Sequence, residues 1–174
     1  ERIVGPDGEP LGDPTEVALL AAGARFGVRQ EELSRRQPRA AERPFDSERK
    51  MMSTIGDPGG GQSIVHTKGA LDSVLPRCER IATAAGEREL SDADRERVQA
   101  AAAAMSDEAL RVLAVARRQI DASKVDVRRD DVEQDLTFVG LVGMIDPPRL
   151  EVKDSIAACR RAGITPVMIT GDHR

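Results

Sequence analysis

Lys50-Met51-Met52-Ser53-Thr54-Ile55-Gly56-Asp57-Pro58-Gly59-Gly60-Gly61-Gln62-Ser63-Ile64-Val65-His66-Thr67 places two strand-like runs on either side of a glycine and proline cluster. The runs, 48–55 and 62–67, have strand length and β-compatible residues. The cluster at 56–61 reads as a loop. The stretch therefore predicts an antiparallel hairpin, the first fixed point of the fold.

Upstream, Asp13-Pro14-Thr15-Glu16 is a helix start, with Asp13 at the N-cap, Pro14 at the first helical position and Glu16 at the third, placed for a capping box. Val17, Leu20, Ala21 and Ala24 follow at helical spacing, and Gly27 ends the run. The arginine-rich stretch 29–43 is polar, with a short helix at its start that Pro38 breaks. Downstream, Leu71, Val74, Leu75 and Cys78 fall at i, i+3, i+4 and i+7, predicting an amphipathic helix that Pro76 shortens or distorts. Ser91 with Asp94 forms a capping box for an alanine-rich helix reaching about Met105. The run 110–116 is a buried strand carrying Arg111, and 124–135 is a solvated connector.

From Leu136 the texture changes. The run 136–145 is a nearly continuous apolar strand stopped by Asp146-Pro147-Pro148-Arg149; a helix over 150–162 closes at Gly163, and 165–169 is a second apolar strand. Strand, helix, strand is the βαβ pattern of a parallel sheet. The expected fold is α+β, with an antiparallel sheet flanked by helices over 1–135 and a parallel-sheet piece over 136–174.

Composition narrows the function. The 174 residues are 40% hydrophobic and 32% charged with a net charge of −4, against a broad nucleic-acid footprint. The longest apolar run, 138–145, falls far short of the roughly 18 residues of a membrane span. Residues 1–8 have neither the basic start nor the apolar stretch of a signal peptide, and the chain is expected to be a piece of a longer protein. Cys78 and Cys159 lie far apart without partners at metal-ligand spacing, as unpaired thiols in a reducing compartment would. His66 and His173 lack clustered ligands, and no metal site is expected.

Several residues have two readings. Phe45 in Pro44-Phe45-Asp46-Ser47-Glu48-Arg49-Lys50 is one of three phenylalanines in a chain without Trp or Tyr. It either fills the core or offers a flat surface for a purine, with Lys50 as a cation for phosphate. Lys68, in Thr67-Lys68-Gly69-Ala70, is either an exposed turn cation or an anion contact beside a glycine that lets a ligand approach. Arg111, if inside the sheet, requires an anionic partner. Thr170-Gly171-Asp172 is either a turn or a hydroxyl and carboxylate at the carboxyl end of a strand, where open α/β sheets bind ligands.

In order, Gly12-Asp13-Pro14-Thr15-Glu16, the 44–53 segment, Lys68-Gly69-Ala70, Leu110-Arg111-Val112-Leu113-Ala114, Asp146-Pro147-Pro148-Arg149 and Thr170-Gly171-Asp172 resemble the cytoplasmic region of P-type cation-transporting ATPases. The resemblance runs from Gly12 to His173. It implies a nucleotide-binding domain, here starting partway through, over 1–135, and over 136–174 part of a phosphorylation domain of haloacid-dehalogenase type. It implies ATP, with Mg2+, as ligand: Phe45 stacking on adenine, Glu16 on the adenine side, Lys68 with Gly69 at the base and ribose end, and Lys50 and Arg111 along the phosphates. Thr170, Gly171 and Asp172 would belong to the phosphoryl site, with Thr170 and Asp172 in the catalytic part.

The implied parent is an integral membrane protein whose cytoplasmic portion includes this chain, with phosphorylation, actuator and membrane domains as partners and calcium as the first choice of ion. The sequence lacks the Asp-Lys-Thr-Gly-Thr segment of the phosphorylated aspartate, so the isolated chain is expected to be inactive. Ser47 stands where some relatives carry arginine. A haloacid-dehalogenase-type phosphatase and a non-catalytic interaction module are the alternatives.

Overall fold

The computed structural model describes residues 13–126, 130–145, 149–167 and 169. It contains the hairpin foreseen above, β2 (Met51–Gly59) and β3 (Gln62–Gly69), antiparallel and in register from Met51 with Gly69 to Gly56 with Ile64. Gly59, Gly60 and Gly61 all take positive φ, which is why the loop is built of glycine.

Five further strands extend the hairpin: β1 (Arg39–Asp46), β4 (Cys78–Thr83), β5 (Gly86–Glu89), β6 (Arg111–Asp121) and β7 (Leu136–Met144). They form one sheet in the order β1-β2-β3-β6-β7-β4-β5. All neighbours are antiparallel except β4 and β7. The helices are α1 (Pro14–Arg25), α2 (Gln30–Arg36), α3 (Leu71–Val74), α4 (Asp92–Asp107) and α5 (Leu150–Arg161).

Alternation along the strands sorts the two faces of the sheet. Met51, Ser53 and Ile55 on β2, Ser63, Val65, Thr67 and Gly69 on β3, and Ala114 and Ala116 on β6 are buried. The main core joins Met51, Ala114, Ala116, Leu136 and Phe138 to Val74, Leu75, Cys78 and Leu90, and a smaller one joins Ile55 and Val65 to Val132. The opposite face carries Met52, Thr54, His66, Lys68 and Val115, half-buried or exposed.

The structure corrects several expectations. The polar stretch 29–43 does start with a short helix but then becomes β1, an edge strand whose exposed side chains hide its periodicity. The helix expected through Cys78 stops at Val74, continues as a 3-10 turn (Leu75–Arg77) around Pro76, and gives way to β4 at Cys78. The connector at 124–135 contains a 3-10 turn (Asp130–Glu133) that buries Val132 and Glu133. The strand starting at Leu136 joins the same sheet, antiparallel to β6, instead of opening a separate parallel sheet. The chain accordingly divides into compact units Glu1–Met144 and Ile145–Arg174. In the second unit α5 closes at Gly163, which has φ 73°. The strand expected at 165–169 does not form in the described residues 165–167 and 169. Among the described residues no helix is long and apolar enough to cross a membrane.

Candidate functional site

Of the residues singled out from the sequence, Glu16, Phe45, Lys50, Lys68 and Gly69 lie around the adjoining ends of β2 and β3. Lys68, second to last on β3, pairs with Met52 and Val115 and projects away from the core because its neighbours Thr67 and Gly69 face inward. Its ammonium meets the carboxylate of Glu16 in the first turn of α1. The capping box expected of Glu16 is replaced by this contact, while Asp13 caps α1 alone by accepting from Thr15 N at 2.8 Å.

Phe45 lies where β1 bulges: Arg43 pairs with Ser53 and Asp46 with Met51, so Pro44 and Phe45 together oppose Met52. Bulges re-aim side chains. Phe45 is 62% exposed. Phe45 is not core filler.

Lys50 occupies the β1–β2 turn with φ 53°. Its ammonium pairs with Asp72 Oδ2 of α3 at 3.2 Å, and its carbonyl accepts from Ala70 N at 2.9 Å. Gly69 is required for a reason other than ligand approach: a Cβ there would stand 2.4 Å from Met51 Cβ and 2.5 Å from Lys50 O. Its missing side chain admits β2.

Arg111 opens β6 and is exposed, so the buried arginine in need of a partner is not found. It shares the outward register of Leu113 and Val115 and stands four residues along the strand from Val115, about 13 Å. Thr170, Gly171 and Asp172, with Asp146, Pro147 and Pro148, lie outside the described residues.

Sequence reasoning missed Asp72, a partner of Lys50, and the buried carboxylate of Glu133, which Arg49 Nη1 meets at 2.7 and 2.6 Å. A helical Leu-Asp-Ser-Val and an acidic Asp-Asp-Val-Glu carry no local mark of such partners. Among the described residues no group of three His, Cys, Asp or Glu side chains converges as a metal site.

The site thus groups two lysines, each paired with a carboxylate, and an exposed phenylalanine. The family described as P-type ATPase, cytoplasmic domain N, matches residues 4–151. The chain is 52% identical over 163 residues to calcium-transporting ATPase 1 of Bacillus cereus, covering 94% of this chain and 18% of that protein. It is 45% identical over 168 residues to calcium-transporting ATPase 1 of Lactococcus lactis, covering 97% and 19%. The sodium/potassium exporting P-type ATPase cta3 of Schizosaccharomyces pombe is 43% identical over 166 residues, covering 93% and 15%. The chain belongs to the P-type ATPase family, in its cytoplasmic domain N. It spans less than a fifth of the length of these curated relatives.

Proposed function

We propose that this chain binds ATP on the open face of its sheet and, within a parent P-type ATPase, presents the γ-phosphate to an aspartate nucleophile. The observation that carries the reading is the grouping of an exposed Phe45, Lys68 paired with Glu16, and Lys50 paired with Asp72 about one end of the β2–β3 hairpin.

Phe45 supplies a stacking surface for adenine, with Glu16 on the adenine side. Lys68 serves the base and ribose end. Lys50 and Arg111 serve the phosphates, and the span of about 13 Å along β6 from Val115, the partner of Lys68, to Arg111 separates the two ends of an extended nucleotide. The acceptors now holding both lysines are exposed or half-exposed carboxylates, and surface pairs of this kind are worth about 0–1 kcal/mol. At the phosphate end, phosphate oxygens displace Asp72 from Lys50 at little cost. With no converging acidic set among the described residues, Mg2+ would arrive with the phosphates. Thr170 and Asp172 would contact the transferred group in the full protein, where catalysis is positioning and charge neutralisation.

The chain alone is expected to bind ATP weakly, at about −4 to −5 kcal/mol, and to lack ATPase activity. For the parent we propose a membrane-embedded cation pump, with calcium first among the ions because two of the relatives above are named for it. Calcium-stimulated ATPase activity of the full-length protein tests the ion.

The site is tested by titrating the 174-residue chain with ATP, ADP and GTP while following amide shifts. Adenine-selective, saturable shifts at Glu16, Phe45, Lys68 and Arg111 are expected. Phe45→Ala should weaken binding by about 1–3 kcal/mol, and Lys68→Ala should also weaken it. A folded chain without a saturable shift at millimolar ATP overturns the reading.

A further inference from the structure

Glu133 is 1% exposed, accepts hydrogen bonds from two side chains and is ion-paired with a third. Arg49 Nη1 donates to both of its oxygens, Ser53 Oγ donates at 2.8 Å, and Arg43 Nε stands 3.5 Å away. Arg49 uses its other terminal nitrogen on the carbonyl of Pro44, at 2.7 Å. One guanidinium thus ties a carboxylate of the 130–133 turn to the peptide directly before Phe45, from the residue directly before Lys50.

The turn it grips is otherwise held by its own backbone hydrogen bonds and by Ala70 N, which donates to Lys50 O at 2.9 Å, and the Arg49 clamp is what ties it to the 130–133 turn. Asp46 Oδ1 accepts from Glu48 N and Arg49 N at 3.0 and 2.9 Å, and Lys50 N donates to Asp46 O at 2.7 Å. Lys50 is left at φ 53°, a conformation a non-glycine residue keeps only where its surroundings impose it. Phe45 is mostly exposed, so packing of its own ring does not set its position.

We propose that Glu133 is a positioning residue for nucleotide recognition, which through Arg49 fixes the β1–β2 turn and so sets where Phe45 and Lys50 stand. This rests on the nucleotide reading above. Glutamine at 133 keeps the shape but removes the charge that orients the guanidinium. Lysine at 49 keeps the charge but loses the planar fork that reaches two acceptors at once.

The test uses the 174-residue chain carrying Glu133→Gln, Arg49→Lys or, as a control destabilised elsewhere in the core, Leu90→Ala. For Glu133→Gln and Arg49→Lys, amide shifts should concentrate at 44–50 and the ATP dissociation constant should rise about five-fold. Leu90→Ala should lower the unfolding midpoint and change neither. The proposal is overturned if either folded clamp variant leaves the 44–50 amides in place and the ATP constant within about two-fold of wild type. Should Glu133→Gln not fold, Arg49→Lys decides alone. If the folded wild-type chain shows no saturable ATP shift, the nucleotide reading and its positioning residue both fall, while the 44–50 amides still report whether the clamp shapes the turn.

Discussion

Gly69 shows how a single residue joins fold to site. Its missing side chain lets the backbone of Met51 and the carbonyl of Lys50 close onto β3, holding the turn that carries one candidate cation beside the strand that carries the other. Gly69→Ala should therefore cost about 1–3 kcal/mol in urea unfolding. Gly140→Ala, with nothing within 4 Å of the added carbon, should change stability by less than about 0.5 kcal/mol. The two thiols also differ. Burial pushes Cys78 from an ordinary 9.0 up to about 12, and its Sγ donates to Val74 O. The folded state thus favours the neutral thiol, a contribution complete below pH 9 and lost as pH rises toward 12. Iodoacetamide at pH 8 should label the half-buried Cys159 in the native chain and Cys78 only after unfolding, as peptide mass mapping would read. Glu16, Phe45 and Lys68 could be picked from the sequence because each belongs to a distinctive short motif. Glu133 could not, since its Arg49 partner lies 84 residues away and only the fold brings them together.

Elements whose stability is local were the ones visible in the sequence. The start of α4 is a capping box as expected: Ser91 Oγ accepts from Asp94 N, and Asp94 accepts from Ser91 N at 3.0 Å. Ser91→Ala should cost about 1 kcal/mol. Asp94 does more than cap. Arg88 binds both of its oxygens, at 2.5 and 2.8 Å, and Arg97 adds a second guanidinium. The hydrogen bonds from Arg88, followed by those from Ser91, hold the carboxyl far below the usual carboxylate value. Because the folded pKa is depressed, the ionised group contributes fully above the unfolded value of about 3.9 and that contribution fades as pH falls further. Urea midpoints between pH 6 and pH 3 should fall more steeply for wild type than for Asp94→Asn. The strands β1 and β5, in contrast, are exposed along most of their length and offer no apolar alternation to read. They are strands because partners supply their hydrogen bonds, which is tertiary information.

At the scale of the whole molecule, the change of texture at Leu136 was read as a domain boundary because a continuous apolar run is the mark of a strand buried on both faces. The run is buried only at its start, Leu136 to Phe138, and lies inside the existing sheet, between β6 and β4. Strand β7 pairs with β6 over Arg111 to Arg117 on one side and with β4 from Cys78 to Ile81 on the other. Among the described residues it is the one strand linking the β4–β5 hairpin to the rest of the sheet, and it brings Leu136 and Phe138 into the main core. The place where the chain is cut therefore decides whether it folds. A chain ending at Met144 keeps all seven strands and should unfold in one transition, with a midpoint close to that of the 174-residue chain. A chain ending at Asp135 loses the middle of the sheet, strands β4 and β5 without their anchor, and exposes Met51, Val74 and Ala116. It should show no cooperative transition by circular dichroism and no dispersed amide spectrum. Cooperative unfolding of the shorter chain would show that β7 is an addition to the sheet and would restore the boundary at Leu136.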